Sequence, residues 1–244
     1  MLKSSLTIPA TLCLLLLATA AGSAKEAKEE GESYLGTTVV DVSHVIPPPP
    51  DGGSAQALAE IAELRQIVAA RTPAELAEAI RDDKDESGDT FAAAIGPAFD
   101  LEKLPATKKM LEDITATEDT VSKGAKKFFR RPRPWIVIAN WQTCSPHKDG
   151  PALNSYPSGH ATLTYAMGVV LSSLVPEKSQ SILAASARFA ESRMVCGVHF
   201  RSDLAAGQAL GTVLGIDLLN SPAFQTDYTA AADELVKAGL RQAK

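Results

Sequence analysis

The chain has 244 residues, 45% hydrophobic, 22% charged and 5% aromatic, with a net charge of -5, a balance that suits one globular domain or a domain with a short arm. So high an apolar fraction and so low a net charge exclude disorder as the dominant state. The pI near 5.4 and the few aromatics argue against nucleic-acid binding, and three cysteines are too few for a fold built on disulfides.

Residues 1–24 carry one charge, Lys3, then the apolar run Leu12 to Leu17, then small residues ending Gly22-Ser23-Ala24. That order is expected of a cleavable export signal, and the run is shorter than the roughly 20 residues a membrane span needs. Cleavage after Ala24 would remove Cys13 and leave Cys144 and Cys196. A lone pair in an oxidising compartment reads as a disulfide; a zinc site from Cys144, His147 and Cys196 is the minor alternative. The rest of the chain offers no membrane span.

Residues 25–54 read as a polar and proline-rich arm, in which VIPPPPDGG (Val45 to Gly53) is extended and lies either as a linker or along the surface. Residues 55–244 read as the functional domain. Helical periodicity starts at Ala55, and Thr72-Pro73-Ala74-Glu75 predicts a second helix opened by a capping box. Asp82 to Asp89 is a charged break. Further helices are expected over Ala106–Phe129, Ala161–Val175, Ser179–Val195, Arg201–Leu219 and Tyr228–Leu240, with Trp135–Ala139 as the one strand-like stretch. The expected fold is all-α, a compact helical bundle.

Three blocks carry chemistry. Lys123 to Arg133 holds six basic residues and no acidic one, ending in Arg131-Pro132-Arg133-Pro134. Such a run is usually a solvated face, but in an acidic protein, pinned by prolines, it suits a focused anion site. Ser155-Tyr156-Pro157-Ser158-Gly159-His160 precedes an apolar helix, so Ser158 and Gly159 fall where helix N–H groups can hold phosphate, a signal that is weak alone. Ser192-Arg193, His199 and Asp203 form the third. The spacing of four lets Asp203 hold one ring nitrogen of His199 and free the other, although an isolated pair of this kind is more often a surface ion pair. His44 and His147 read as surface loop residues, and Ala205, Ala206, Gly207, Gly211 and Gly215 as close helix packing.

In combination, Lys126 with Arg133-Pro134, Pro157-Ser158-Gly159-His160, and Ser192-Arg193 with His199 and Asp203 resemble the phosphatase motif of the type 2 phosphatidic acid phosphatase superfamily. Over Val45 to Asp227 the chain is similar to the secreted bacterial class A nonspecific acid phosphatases. The resemblance implies the superfamily's helical bundle, shared with vanadium haloperoxidases, and a periplasmic acid phosphatase of phosphate monoesters needing no cofactor and no metal, with a possible homodimer. It implies His199 as nucleophile forming a phosphohistidine and Asp203 orienting it. His160 would protonate the leaving group, and Lys126, Arg133, Arg193, Ser158 and Gly159 would bind the phosphoryl oxygens. The alternative readings are a vanadium-dependent haloperoxidase or a lipid phosphate phosphatase using the same pocket. Asn154 and Ala161 depart from the class A signature, which has Gly and Thr there.

Overall fold

The computed structural model describes Tyr34, residues 40–147 and residues 152–242. The expected export signal and residues 25–33 and 35–39 of the expected arm lie outside the described residues. Among those described there is no strand, and the chain is an all-α bundle. Its helices are α1 (Val42–Val45), α2 (Ala55–Ala70), α3 (Pro73–Asp82), α4 (Ala92–Ile95), α5 (Pro105–Phe129), α6 (Pro134–Val137), α7 (Gly159–Leu174), α8 (Ser179–Val195), α9 (Arg201–Asn220) and α10 (Pro222–Lys237).

Local chemistry sets the ends of these helices. Ser54 caps α2, its hydroxyl accepting from the Ala57 N–H at 3.1 Å. At α3 the expected capping box forms, the Thr72 N–H donating to Glu75 Oε2 at 2.7 Å while the Glu75 N–H returns to Thr72 Oγ1 at 3.2 Å. The start of α5 is held from outside: Glu234 of α10 accepts from the N–H groups of Ala106 and Thr107 at 3.0 and 2.8 Å, placing a carboxylate at the positive end of the helix. α5 stops where Arg130 turns left-handed (φ 52) before Pro132, which cannot continue a helix.

α7 is the central element. Ten of its sixteen residues are buried, as expected of a helix apolar on nearly every side. It packs on α5, α8 and α9, and its Leu163, Met167, Val170 and Leu171 share one core with Met110, Leu111 and Ile114 of α5 and Leu214 and Leu218 of α9. Against α9 the backbones meet closely. A Cβ at Gly207 would stand 2.7 Å from the Ser158 carbonyl oxygen, and one at Gly215 2.7 Å from Val169 Cβ; a Cβ at Gly211 would collide with the Thr162 carbonyl. Gly207, Gly211 and Gly215 are therefore a packing seam, whereas Ala206 packs with Ile46, Ala125, Tyr156 and Leu210 and Ala205 is exposed.

Two expectations are corrected. Trp135–Ala139 is not a strand: Pro134 opens a single helical turn, closed by the Ile138 N–H on the Pro134 carbonyl at 2.9 Å, and only Ile138 is extended. Its apolar run serves a surface turn, leaving Ile136 and Val137 exposed. The last helix starts at Pro222, six residues before Tyr228, because proline suits a first helical turn. The proline-rich stretch lies against the domain: Ile46 is buried with Ala125, Tyr156 and Leu210, and the Tyr156 hydroxyl donates to the Pro47 carbonyl.

Candidate active site

The starts of α7 and α9 and the ends of α5 and α8 converge on a cavity of about 350 Å³, lined among others by Lys126, Arg133, Gly159, His160, Arg193 and His199. Each arrives by a local device. Lys126 lies in the last turn of α5, and the Arg130–Pro132 break sends Arg133 back towards it. α7 begins at Gly159, so the first backbone N–H groups of a sixteen-residue helix face this end. Between Arg193 and His199 the chain turns at Gly197 (φ 79), where a Cβ would press on the Gln142 carbonyl and the Trp141 ring at 3.1 Å; only glycine fits that corner without strain.

His199 and Asp203 form a buried pair, Nδ1 to Oδ2 at 3.1 Å. The same oxygen accepts from Ser155 Oγ at 2.6 Å and from the Phe200 N–H at 2.9 Å, while Oδ1 takes Arg131 at 2.6 Å. The second nitrogen of Arg131 meets Glu60 at 2.6 Å, and its guanidinium lies 4.5 Å from the centre of the Phe200 ring. Burial raises the Asp203 pKa, opposed by Arg131, Ser155 and the Phe200 N–H. With Nδ1 donating to this acceptor, His199 keeps a lone pair on Nε2, which faces Arg133 Nη1 at 2.9 Å. Burial, then Arg133, Arg193 and Lys126, holds the imidazole well below its usual range, so it is neutral.

The remaining lining is cationic. Burial lowers Lys126, and it pushes Arg133 down to about 10. Arg133 is fixed by Asn154, whose Oδ1 accepts from Nε at 2.9 Å, and by the Val198 carbonyl at 2.9 Å. Arg193 is 3% exposed and pairs with Asp83 through Nη2 alone. Its Nε and Nη1, together with His160 Nε2, are buried with no hydrogen-bond partner among the described residues. Burial, then Arg193, with Asp83 opposing, pushes His160 down to about 3. Its ring stacks near Phe189 at 6.0 Å, and the Glu86 carboxylate stands 3.8 Å from Nε2.

The structure thus gathers Lys126, Arg133, Gly159, His160, Arg193 and His199 around one cavity, with Asp203 behind His199. Ser158 is placed differently. Its hydroxyl caps α7 by accepting from the Ala161 N–H at 3.4 Å, and its own N–H donates to the Asp203 carbonyl at 3.0 Å. Cys144 and Cys196 form a disulfide, which leaves no thiolate pair for zinc, although Asp83 lies within 4.8 Å of both sulfurs. His147 is exposed but not idle: it stacks on Trp135 at 4.5 Å and lines the cavity. His44 is exposed on α1. Sequence reasoning missed Arg131, Glu60, Asp83 and the role of Asn154. For Arg131 the signal was present in the basic run, but nothing local separates it from its solvated neighbours.

Residues 114–226 match the profile of the PAP2 superfamily. The chain is 33% identical over 152 residues to a non-specific acid phosphatase of Salmonella typhi, the match covering 59% of each protein, so it spans less than two thirds of that relative. It is 30% identical over 205 residues to a non-specific acid phosphatase of Providencia stuartii, covering 81% of this chain and 82% of that one. Among solved structures it is similar to LpxE of Aquifex aeolicus, with a TM-score of 0.53 at 23% identity over 69% of this chain and 97% of that one, a likeness of fold.

Proposed function

The chain belongs to the PAP2 superfamily, and from that premise we propose that it is an exported acid phosphatase which hydrolyses phosphate monoesters through a covalent phosphohistidine. One observation carries the reading. Arg193 Nε and Nη1 and His160 Nε2 are buried without partners in a cavity that also holds Lys126 and Arg133. The two Arg193 nitrogens are donors, and a buried donor left unpaired costs on the order of 1–3 kcal/mol; a tetrahedral oxyanion supplies the acceptors they lack, and its charge favours the protonated, donating form of His160 beside them. The neutral Nε2 of His199 faces the same space.

The residues then divide the chemistry. The His199 Nε2 lone pair attacks phosphorus as the bond to the ester oxygen breaks, and Asp203 stabilises the imidazolium that forms. His160 gives its proton to the departing alkoxide, then takes one from the water that attacks the phosphohistidine, releasing inorganic phosphate and restoring His199. Arg193, Arg133, Lys126 and the first N–H groups of α7 compensate charge on the phosphoryl oxygens, the main demand of phosphoryl transfer. These groups carry the positive charge by themselves, so the scheme includes no metal. Export rests on the Lys3–Ala24 pattern, and no described helix is long and apolar enough to cross a membrane.

The test is hydrolysis of p-nitrophenyl phosphate with chelator present, beside His199→Ala, together with trapping of an acid-labile, alkali-stable phosphoprotein. Chelator-resistant turnover and a trapped phosphoprotein, both absent in the variant, support the reading. Equal activity of His199→Ala and wild type overturns the mechanism. Bromide oxidation with vanadate and peroxide, without phosphatase activity, moves the pocket to haloperoxidase chemistry.

A further inference from the structure

A buried carboxyl group lies behind the cationic wall and takes no part in the scheme above. Glu118 and Lys126 are eight residues apart on α5, two turns along one face. Gly159 sits over both: a Cβ there would stand 2.9 Å from Lys126 Nζ and 3.5 Å from Glu118 Oε1. The ammonium, the carboxyl and the start of α7 therefore meet at one place, the seat of the anion.

We propose, taking the cavity as an oxyanion site, that Glu118 is a positioning residue acting through Lys126: as a neutral acid it leaves the ammonium to the bound dianion, and as a carboxylate it competes for that ammonium and weakens the dianion's hold. The groups facing it come from three elements. Ser122 of α5 donates to Glu118 Oε1. Lys126 and Asp119 also belong to α5, Glu86 to the charged segment after α3, and His160, 3.8 Å from Glu86, to α7. Burial pushes Glu118 up to about 7, Ser122 and Lys126 act the other way, and Glu86 and Asp119 add to the rise. His160, at about 3, has already lost its proton at neutrality, and Arg133, at about 10, keeps its own. Glu118 is thus placed to change charge within the working range of the site.

Sulfate is the suitable probe, because it is a tetrahedral dianion throughout the range and contributes no titration itself. Calorimetric titration of the full chain with sulfate from about pH 5.5 to about pH 8.5 should show the wild-type dissociation constant rising about tenfold, one charge acting on a dianion in a half-dry site. In Glu118→Gln the step near neutrality should vanish, leaving on the acid side only the rise that His160 protonation beside the dianion gives. Ser122→Ala covers the case in which that variant does not fold: it removes the donor that favours the carboxylate, so the midpoint should move about one unit upward. A flat wild-type profile overturns the proposal, as does a step near neutrality that survives in Glu118→Gln, which would assign it to Lys126 or to His160 taking up a proton beside the dianion. Absence of sulfate binding at every pH would instead overturn the oxyanion reading on which the proposal rests.

Discussion

The two walls of the cavity are built on opposite terms. Behind His199 every acceptor is filled: Asp203 takes His199, Ser155, Phe200 and Arg131, and Arg131 is closed off by Glu60. Across the cavity Arg193 and His160 present buried nitrogens with nothing to bond. The saturated wall fixes one ring nitrogen and one lone pair before any substrate arrives, which is preorganisation. The unsaturated wall carries an energetic cost in the empty protein that a ligand relieves, so binding and stability are coupled there. The nucleophile is held by the fold, whereas the anion seat waits for its ligand.

The largest effect expected from this contrast is kinetic. Asp203→Asn keeps the shape but presents an amide to Nδ1, so His199 loses its enforced tautomer, and kcat should fall about 10³- to 10⁴-fold. Steady-state kinetics with p-nitrophenyl phosphate would check it; a loss under tenfold would mean the tautomer is set elsewhere. Next comes a pair of stability measurements. Arg131→Met leaves Glu60 and Asp203 buried without the cation they share and should cost about 3–5 kcal/mol in urea unfolding. Arg193→Met removes two unpaired buried donors together with the ion pair to Asp83 and should leave the empty protein within about 1 kcal/mol of wild type, while kcat/KM drops about 10²- to 10³-fold. Equal destabilisation by both would erase the distinction between the walls.

The smallest effect is in pH dependence, and its sign can be worked out. His160 is held at about 3 and His199 well below 6.5, so the unfolded chain binds more protons than the native one below about pH 6.5. Their contribution is complete above that pH and is lost as pH falls towards the folded values, by at most about 1.4 kcal/mol per pH unit for each histidine. Glu118, raised to about 7, acts oppositely: its contribution is full below about pH 4.5 and is lost as pH rises through 7. Chemical denaturation at about pH 4, 5.5 and 7, with and without saturating sulfate, should show the acid loss reduced by the anion, because a dianion beside His160 favours its protonated form. In the empty site burial and Arg193 keep the acid form of His160 scarce, so kcat/KM should keep rising on the acid side of neutrality.

Much of the site was legible because its residues sit at helix ends, where local sequence rules are strict. The Thr72–Glu75 box, the start of α7 beside Ser158 and Gly159, and the spacing of four that lays Asp203 against His199 all follow from capping and periodicity. What was not legible depends on partners far along the chain. Arg131 finds Glu60 across 71 residues and Asp203 across 72, and Arg193 finds Asp83 across 110; no local pattern marks such pairings. Trp135–Ala139 misled for a related reason. Its residue types favour strands, but a strand needs a neighbour, and none exists among the described residues, so Pro134 decides for a turn. Ser158 was placed correctly at a helix start, yet which way its hydroxyl turns is decided by the cap it makes with Ala161.

The glycine seam between α7 and α9 has a mechanical consequence. Both histidines ride near the starts of these two helices, like the jaws of a calliper, and the seam at Gly207, Gly211 and Gly215 is the slide that sets their gap. At 1.5 Å per residue, Gly211 lies roughly 12 Å along the shaft from Asp203. A single methyl group added there would press the shafts apart and open the jaws, detuning proton transfer from a distance at which no side chain touches the substrate. Tolerance to substitution along α9 should therefore follow the facing of each residue, strict on the seam and loose at exposed Ile216, and not its distance from the chemistry.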